Sequence, residues 1–249
     1  MTSEGRGDVG GVGVGWPDGG GDLGYLFMVT YGRSGSTLLN GILNSIPGYL
    51  VRGENQDALR HLQDFTATVL DARARHPRTS ARTHPWFGIG DVPPRRLTAG
   101  VRALALETLL RPKPTTRVTG YKEVRWARAD VAEHVAWLRE VFPGARFVLN
   151  TRDHAAVLRS GWWAEEDPGR LGPALVVLEE RLRRVVADLG PAGFHVHYDD
   201  YVADHDALRP LFAWLGEDFD RTTVDAVMAR PHSKGNKAPE DLDPGIVGG

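Results

Sequence analysis

Cysteine is absent from the 249 residues, which excludes disulfides, thiolate nucleophiles and cysteine-ligated zinc. Long hydrophobic runs are missing too. Tyr25-Leu26-Phe27-Met28-Val29 is far too short to cross a bilayer, so no membrane span is expected. Charge of neither sign is in excess, since the formal net charge is −2. Nothing global would hold a nucleic acid or an anionic membrane, so any anion site must be local and no nucleic-acid partner is expected. Residues 1–24 carry neither a basic n-region nor an apolar h-region and do not read as a signal peptide, which makes a cytoplasmic protein the expectation. Arg6-Gly7-Asp8 spells an adhesion tripeptide there, and we read it as coincidence.

What is present suits a globular chain. Hydrophobic residues make up 41% and charged residues 25%, and the length fits one α/β domain. Residues 1–23 are Gly-rich with too little apolar surface to offset the entropy of ordering, which predicts a disordered tail. Residues 238–249 read as a second, polar tail.

Between the tails, strand and helix patterns alternate. Tyr25–Thr30 is a continuous apolar run, as in a strand buried on both faces. A helix is expected over Ser36–Ile46, stopped by Pro47-Gly48, then a short strand at Tyr49–Val51 and a helix over Gln56–Ala72 with Asn55 as its N-cap. His76–Arg96 shows no period and reads as a loop, rich in Pro, Arg, Thr and His. Further helices are predicted at Val101–Leu110, Asp130–Phe142, Ala155–Trp163, Pro173–Leu189, Ala207–Trp214 and Thr222–Ala229, with strands at Arg117–Tyr121, Arg146–Thr151 and Phe194–Tyr198. That alternation predicts a single α/β domain with a mostly parallel central sheet flanked by helices. Ligands in such sheets sit outside the carboxyl ends of the strands.

The polar residues fall where that rule puts them. After the first strand comes Thr30-Tyr31-Gly32-Arg33-Ser34-Gly35-Ser36-Thr37, opening a helix. Small residues let the backbone N–H groups turn toward an anion, and the helix N-terminus adds positive potential. The ATP and GTP form of this loop, GxxxxGK[ST], carries a Lys for the terminal phosphates. Here Ser36 stands in its place and the cation is Arg33.

The segment resembles the 5′-phosphosulfate loop of sulfotransferases that use 3′-phosphoadenosine 5′-phosphosulfate (PAPS), especially the carbohydrate and bacterial branch with Arg-Ser-Gly-Ser-Thr. That family also carries an Arg at a strand end with a Ser eight positions on, both holding the donor's 3′-phosphate; Arg152 and Ser160 match it. A Lys–acidic–x–Arg element is matched by Lys122-Glu123-Val124-Arg125, placed either to meet a sulfuryl or anionic acceptor or to form a surface ion pair with Glu123. Ser233-Lys234-Gly235 resembles the C-terminal loop that closes over the 3′-phosphate. Two features depart from the pattern: Leu38 stands where some relatives stack an aromatic on adenine, and the Gly-x-Trp of the cytosolic branch is missing.

The resemblance implies a P-loop-like sulfotransferase domain over residues 24–237, which takes PAPS as donor, releases 3′,5′-phosphoadenosine (PAP) and needs no metal. Ser34, Gly35, Ser36, Thr37, Arg33, Arg152, Ser160, Lys234 and Gly235 would bind the donor. Glu54, after the second strand, is the candidate general base, and Arg33 and Lys122 complete the catalytic set. The rival readings are a solvated turn for Glu54, and His154 as base or as a solvent-facing helix start. The acceptor is expected to be a small molecule bearing a sugar or natural-product hydroxyl; oligomeric state cannot be read. His195, His197 and Asp199 share a strand face, which suits packing better than a metal. Trp162 and Trp163 read as core rather than acceptor platform, and the basic stretch Arg73–Arg96 as a solvated loop or a lid. Two rival functions stay open: a P-loop kinase or nucleotide hydrolase, and a non-catalytic nucleotide-binding protein.

Overall fold

A computed structural model describes residues 23–76 and 81–230. The two tails, the Arg6-Gly7-Asp8 tripeptide, Lys234 and Gly235 lie outside those residues, apart from Leu23.

Five strands form one sheet: β1 (Gly24–Val29), β2 (Tyr49–Arg52), β3 (Val118–Glu123), β4 (Arg146–Thr151) and β5 (Gly193–His197). Their order is β2-β3-β1-β4-β5 and every pairing is parallel. β1 therefore lies in the middle, and its alternate side chains feed two cores. Tyr25, Phe27 and Val29 join one cluster, while Leu26 and Met28 join the other. That is the physical reason for its unbroken apolar run.

The first core is covered by α2 (Ala58–Arg75), α3 (Pro94–Ala105), α4 (Val131–Val141) and α6 (Pro168–Asp188). The second is covered by α1 (Ser36–Leu43), α7 (Tyr198–Ala203), α8 (Arg209–Leu215) and α9 (Arg221–Met228). α5 (His154–Leu158) is short and sits beyond β4. Two layers of helix around a parallel sheet is the architecture expected.

The boundaries differ where local chemistry intervenes. The second helix starts at Ala58 rather than Gln56, because Gln56 and Asp57 both take left-handed backbone, φ 58° each. The N-cap position is Asp57 rather than Asn55, although Asn55 Oδ1 accepts from the Ala58 N–H at 3.1 Å. α3 begins at Pro94, with proline at its first position where no N–H is needed, and passes into a π-helical turn at Leu106–Leu110. The helix expected to reach Trp163 stops at Leu158, since Gly161 has φ 59°. α6 starts five residues before Pro173, at Pro168, where the Asp167 carboxylate accepts from the Gly169 N–H at 2.9 Å.

Candidate functional site

The carboxyl ends of β1, β2, β3 and β4 carry the described residues of the expected donor-binding and catalytic sets except Ser160, which follows α5. The loop leaving β1 is bent by two left-handed residues, Arg33 (φ 67°) and Gly35 (φ 82°). A side chain at Gly35 would collide with a ring: a Cβ there would lie 2.0 Å from Tyr198 Cδ2. The loop is tied to β4 by buried hydroxyls. Thr30 Oγ1 lies 2.5 Å from Ser34 Oγ and donates to the Asn150 carbonyl at 2.8 Å. Asn150 Nδ2 donates to the Ser34 carbonyl at 2.8 Å, and Tyr201 donates to Asn150 Oδ1 at 3.0 Å. The Ser34 hydroxyl is therefore turned inward, and what the loop offers outward is backbone N–H, the exposed Thr37 and the exposed Arg33. No acidic residue occupies the first turn of α1, so the positive end of that helix is uncompensated there.

The second motif meets the first. Arg33 Nε donates to Ser160 Oγ at 3.0 Å. Arg152 Nη1 donates to the Arg33 carbonyl at 3.2 Å, and its guanidinium lies 4.5 Å from the centre of the Tyr198 ring. Among the described residues no carboxylate pairs with Arg33 or Arg152. Two guanidinium groups, a helix N-terminus and a hydroxyl thus converge without a counter-charge, an arrangement suited to an anion with more than one charged group.

Arg152 is set from behind. Its backbone N–H donates to the Tyr31 hydroxyl at 3.0 Å, and Tyr31 donates in turn to Glu179 Oε2 at 2.5 Å. His154 and Arg183 bond the same carboxylate. Burial alone would raise Glu179, but hydrogen bonds from Tyr31, His154 and Arg183 hold it below the usual carboxylate range. His154 opens α5 and keeps part of its ring exposed, as expected, while its Nε2 is engaged with Glu179 of α6.

On the other side of β1, Lys122 donates to Glu54. The ammonium is buried and the carboxylate half exposed, 8% against 47%. Glu123 does not form the surface ion pair weighed against this. Its buried carboxylate accepts backbone N–H groups from Asn55 (3.2 Å), Asp57 (3.0 Å), Val124 (2.8 Å) and Arg125 (3.3 Å), clamping the turns after β2 and β3. That clamp carries the strained Gln56-Asp57 backbone beside Glu54.

The remaining candidates do other work. His195 Nε2 and His197 Nδ1 flank Thr151 Oγ1 at 2.8 and 2.9 Å. Among the described residues no cluster could hold a metal. Trp163 is core. Arg73 is helical and donates to the Val92 carbonyl at 2.9 Å, and Trp86 stacks on His76 with 4.0 Å between rings. Tyr31, Asn150, Tyr198 and Tyr201 were not singled out from the sequence; only Asn150, a polar residue in an apolar strand, gave a signal.

The model of the sulfotransferase family matches residues 26–221. The chain belongs to this family. No curated protein sequence matches significantly. Among solved structures it is similar to the sulfotransferase domain of the Synechococcus PCC 7002 olefin synthase, at 20% identity and TM-score 0.54, covering 93% of this chain and 88% of that one. It is also similar to the sulfotransferase domain from the curacin biosynthetic pathway, at 16% identity and TM-score 0.51, covering 81% and 76%. Identities this low bear on the fold, which these sulfotransferase domains share with the chain. No helix among the described residues is long and apolar enough to cross a membrane.

Proposed function

We propose that the protein transfers a sulfuryl group from PAPS to a hydroxyl of a small acceptor, a sugar or natural product, and releases PAP. The observation that carries this reading is the Arg33–Ser160–Arg152 assembly, which brings to the loop after β1 two guanidinium groups that pair with no carboxylate among the described residues. The loop N–H groups from Ser34 to Thr37 and the Arg33 side chain take the 5′-phosphosulfate. Arg152 and Ser160 take the 3′-phosphate, and the family resemblance adds Lys234 and Gly235 to the residues that bind it.

In the transfer, the acceptor oxygen attacks sulfur in line with the phosphate oxygen. The S–O bond to phosphate breaks, its electron pair leaves with PAP, and the acceptor's proton passes to Glu54. Charge gathers on the leaving phosphate, where Arg33 and the loop dipoles stabilise it. Lys122 steadies Glu54 and faces the sulfuryl oxygens, while the 3′-phosphate contacts fix where sulfur sits.

The deciding experiment supplies ³⁵S-labelled PAPS with pooled sugars, glycolipids and phenolic metabolites. Label in an acceptor, with matching PAP release, supports the reading. Magnesium-dependent ATP turnover without label transfer favours a kinase or hydrolase. PAP binding with no turnover by any acceptor favours a nucleotide-binding protein.

A further inference from the structure

Beside Glu54 lies a cleft of about 430 Å³, lined by Arg52, Glu54, Leu110, Arg111 and Tyr121 among others. That volume suits a small organic molecule rather than a polymer. Its charge is one-sided. Glu54, the carboxylate in the lining, is already paired with Lys122. Arg52 is anchored by carbonyls alone, Nε to Leu110 O at 2.8 Å and Nη2 to Arg111 O at 2.9 Å. Arg111 is exposed, and no ion pair involves it among the described residues. Burial and the neighbouring Arg111 charge both lower the Arg52 guanidinium; two like charges have been left facing one space.

Two further observations point to an occupant. The Tyr121 hydroxyl is buried on this lining and has no hydrogen-bond partner among the described residues, a state that a bound polar group would relieve. Arg111 is also held in left-handed backbone, φ 46°, at the end of the π-helical turn Leu106–Leu110. Such turns recur at functional sites.

We propose that this cleft selects an acceptor that carries its own negative charge. A carboxylate or phosphate on the acceptor would lie between Arg111 and Arg52, with the reacting hydroxyl presented at Glu54. The inference rests on the sulfotransferase reading for the role of Glu54, but the anion preference of the cleft can be measured without turnover.

The test uses matched pairs: 3-hydroxybutyrate against its methyl ester, and glycerol 3-phosphate against glycerol. Each is titrated calorimetrically into the protein saturated with PAP, and each is offered with labelled PAPS. The charged member of at least one pair should bind about tenfold or more tightly than its neutral partner, the scale of one charged hydrogen bond. The pair showing the larger ratio tells carboxylate from phosphate. Arg111→Gln should abolish the difference. Its fold should survive, because only the Arg111 backbone is engaged, and an unchanged PAP affinity verifies this. Arg139→Gln, which removes an exposed charge on α4 away from the cleft, should leave the difference intact. Equal binding within both pairs, no binding of either acid, or a preference that survives Arg111→Gln overturns the proposal. If PAP itself does not bind, the donor reading fails instead, and the same titrations without PAP still decide the anion preference.

Discussion

Arg33 reaches across from the loop after β1 to hydrogen-bond Ser160 beyond α5, Nε to Oγ at 3.0 Å. Ser160 is thereby coupled to both proposed ends of the donor, whereas the Arg152 side chain reaches the loop at the Arg33 carbonyl. The two residues should respond differently to truncation. Arg152→Ala should weaken PAP by about 10- to 100-fold, the worth of a charge-assisted contact, and adenosine 5′-phosphosulfate much less. Ser160→Ala should weaken both ligands. Calorimetric titration reads the difference, and equal losses for Arg152→Ala would make it a structural residue.

Donor choice follows from Ser36 standing where nucleotide hydrolases carry lysine. PAP should raise the melting temperature, because a ligand that binds the folded state alone must stabilise it. Magnesium-ATP should raise it far less. A larger shift with magnesium-ATP would contradict the assignment of PAPS as donor.

Glu54→Gln keeps the side chain's size and removes its charge. Turnover should fall by about 10²- to 10⁴-fold, the usual contribution of a placed general base. PAP stabilisation should match the wild type, since Lys122 and Glu54 lie on the β2–β3 side of β1 and Arg152 on the β4 side. Retained turnover with a true acceptor would clear Glu54 of the role.

Gly35→Ala combines left-handed backbone with a steric conflict against the Tyr198 ring. Backbone strain alone costs about 1–2 kcal/mol. Adding the clash, the melting temperature should fall by roughly 5 °C or more in a chain of this size. Tyr198→Ala in the same background should recover part of that loss. A Gly35→Ala protein as stable as wild type, measured by calorimetry, would count against the described loop.

Two neighbours give opposed pH effects. Burial pushes His134 down from 6.5 to about 3, so its contribution to stability is complete above pH 6.5 and is lost as pH falls toward 3. Burial, then the Glu123 charge, pushes Asp57 up to about 6. Its folded form takes a proton before the unfolded chain does, so acidification from pH 6 to 4 favours folding through this group. His134 Nε2 and Asp57 Oδ1 are 3.7 Å apart. Asp57→Asn should therefore steepen the loss of stability between pH 6 and 4, and His134→Gln should reverse its sign. The limit is about 1.4 kcal/mol per pH unit for one proton. Urea melts at stepped pH would show identical slopes for both variants if the two groups do not titrate this way.

The strands were legible because burial on both faces leaves a local signature. Arg146–Thr151 is a strand over the expected residues, and the Arg33 loop stood out as small residues between a strand and a helix. The Lys122–Glu54 pair was not legible as a pair, since it spans two strands. The role of Glu123 was hidden for the same reason: its four donors come from two separate turns, which no spacing rule joins. α7 was missed because Tyr198 continues the strand pattern while its backbone has already turned helical. The left-handed Gln56 and Asp57 carry no glycine signal, and the Glu123 carboxylate that holds them there is far off in sequence.

The central position of β1 has a consequence for synthesis. Gly24 pairs with Val118 and Leu26 with Arg146, so the ribosome releases this apolar strand long before either neighbour exists. β2, whose partner is β3, waits as well. Such distant pairings fold slowly and leave unpaired edges open to association. Nascent chains arrested before Arg146 should engage chaperones through β1. The Arg33 loop gains the bonds that tie Thr30 and Ser34 to Asn150 only once Asn150 emerges, so loop anchoring and sheet closure arrive together, late in translation.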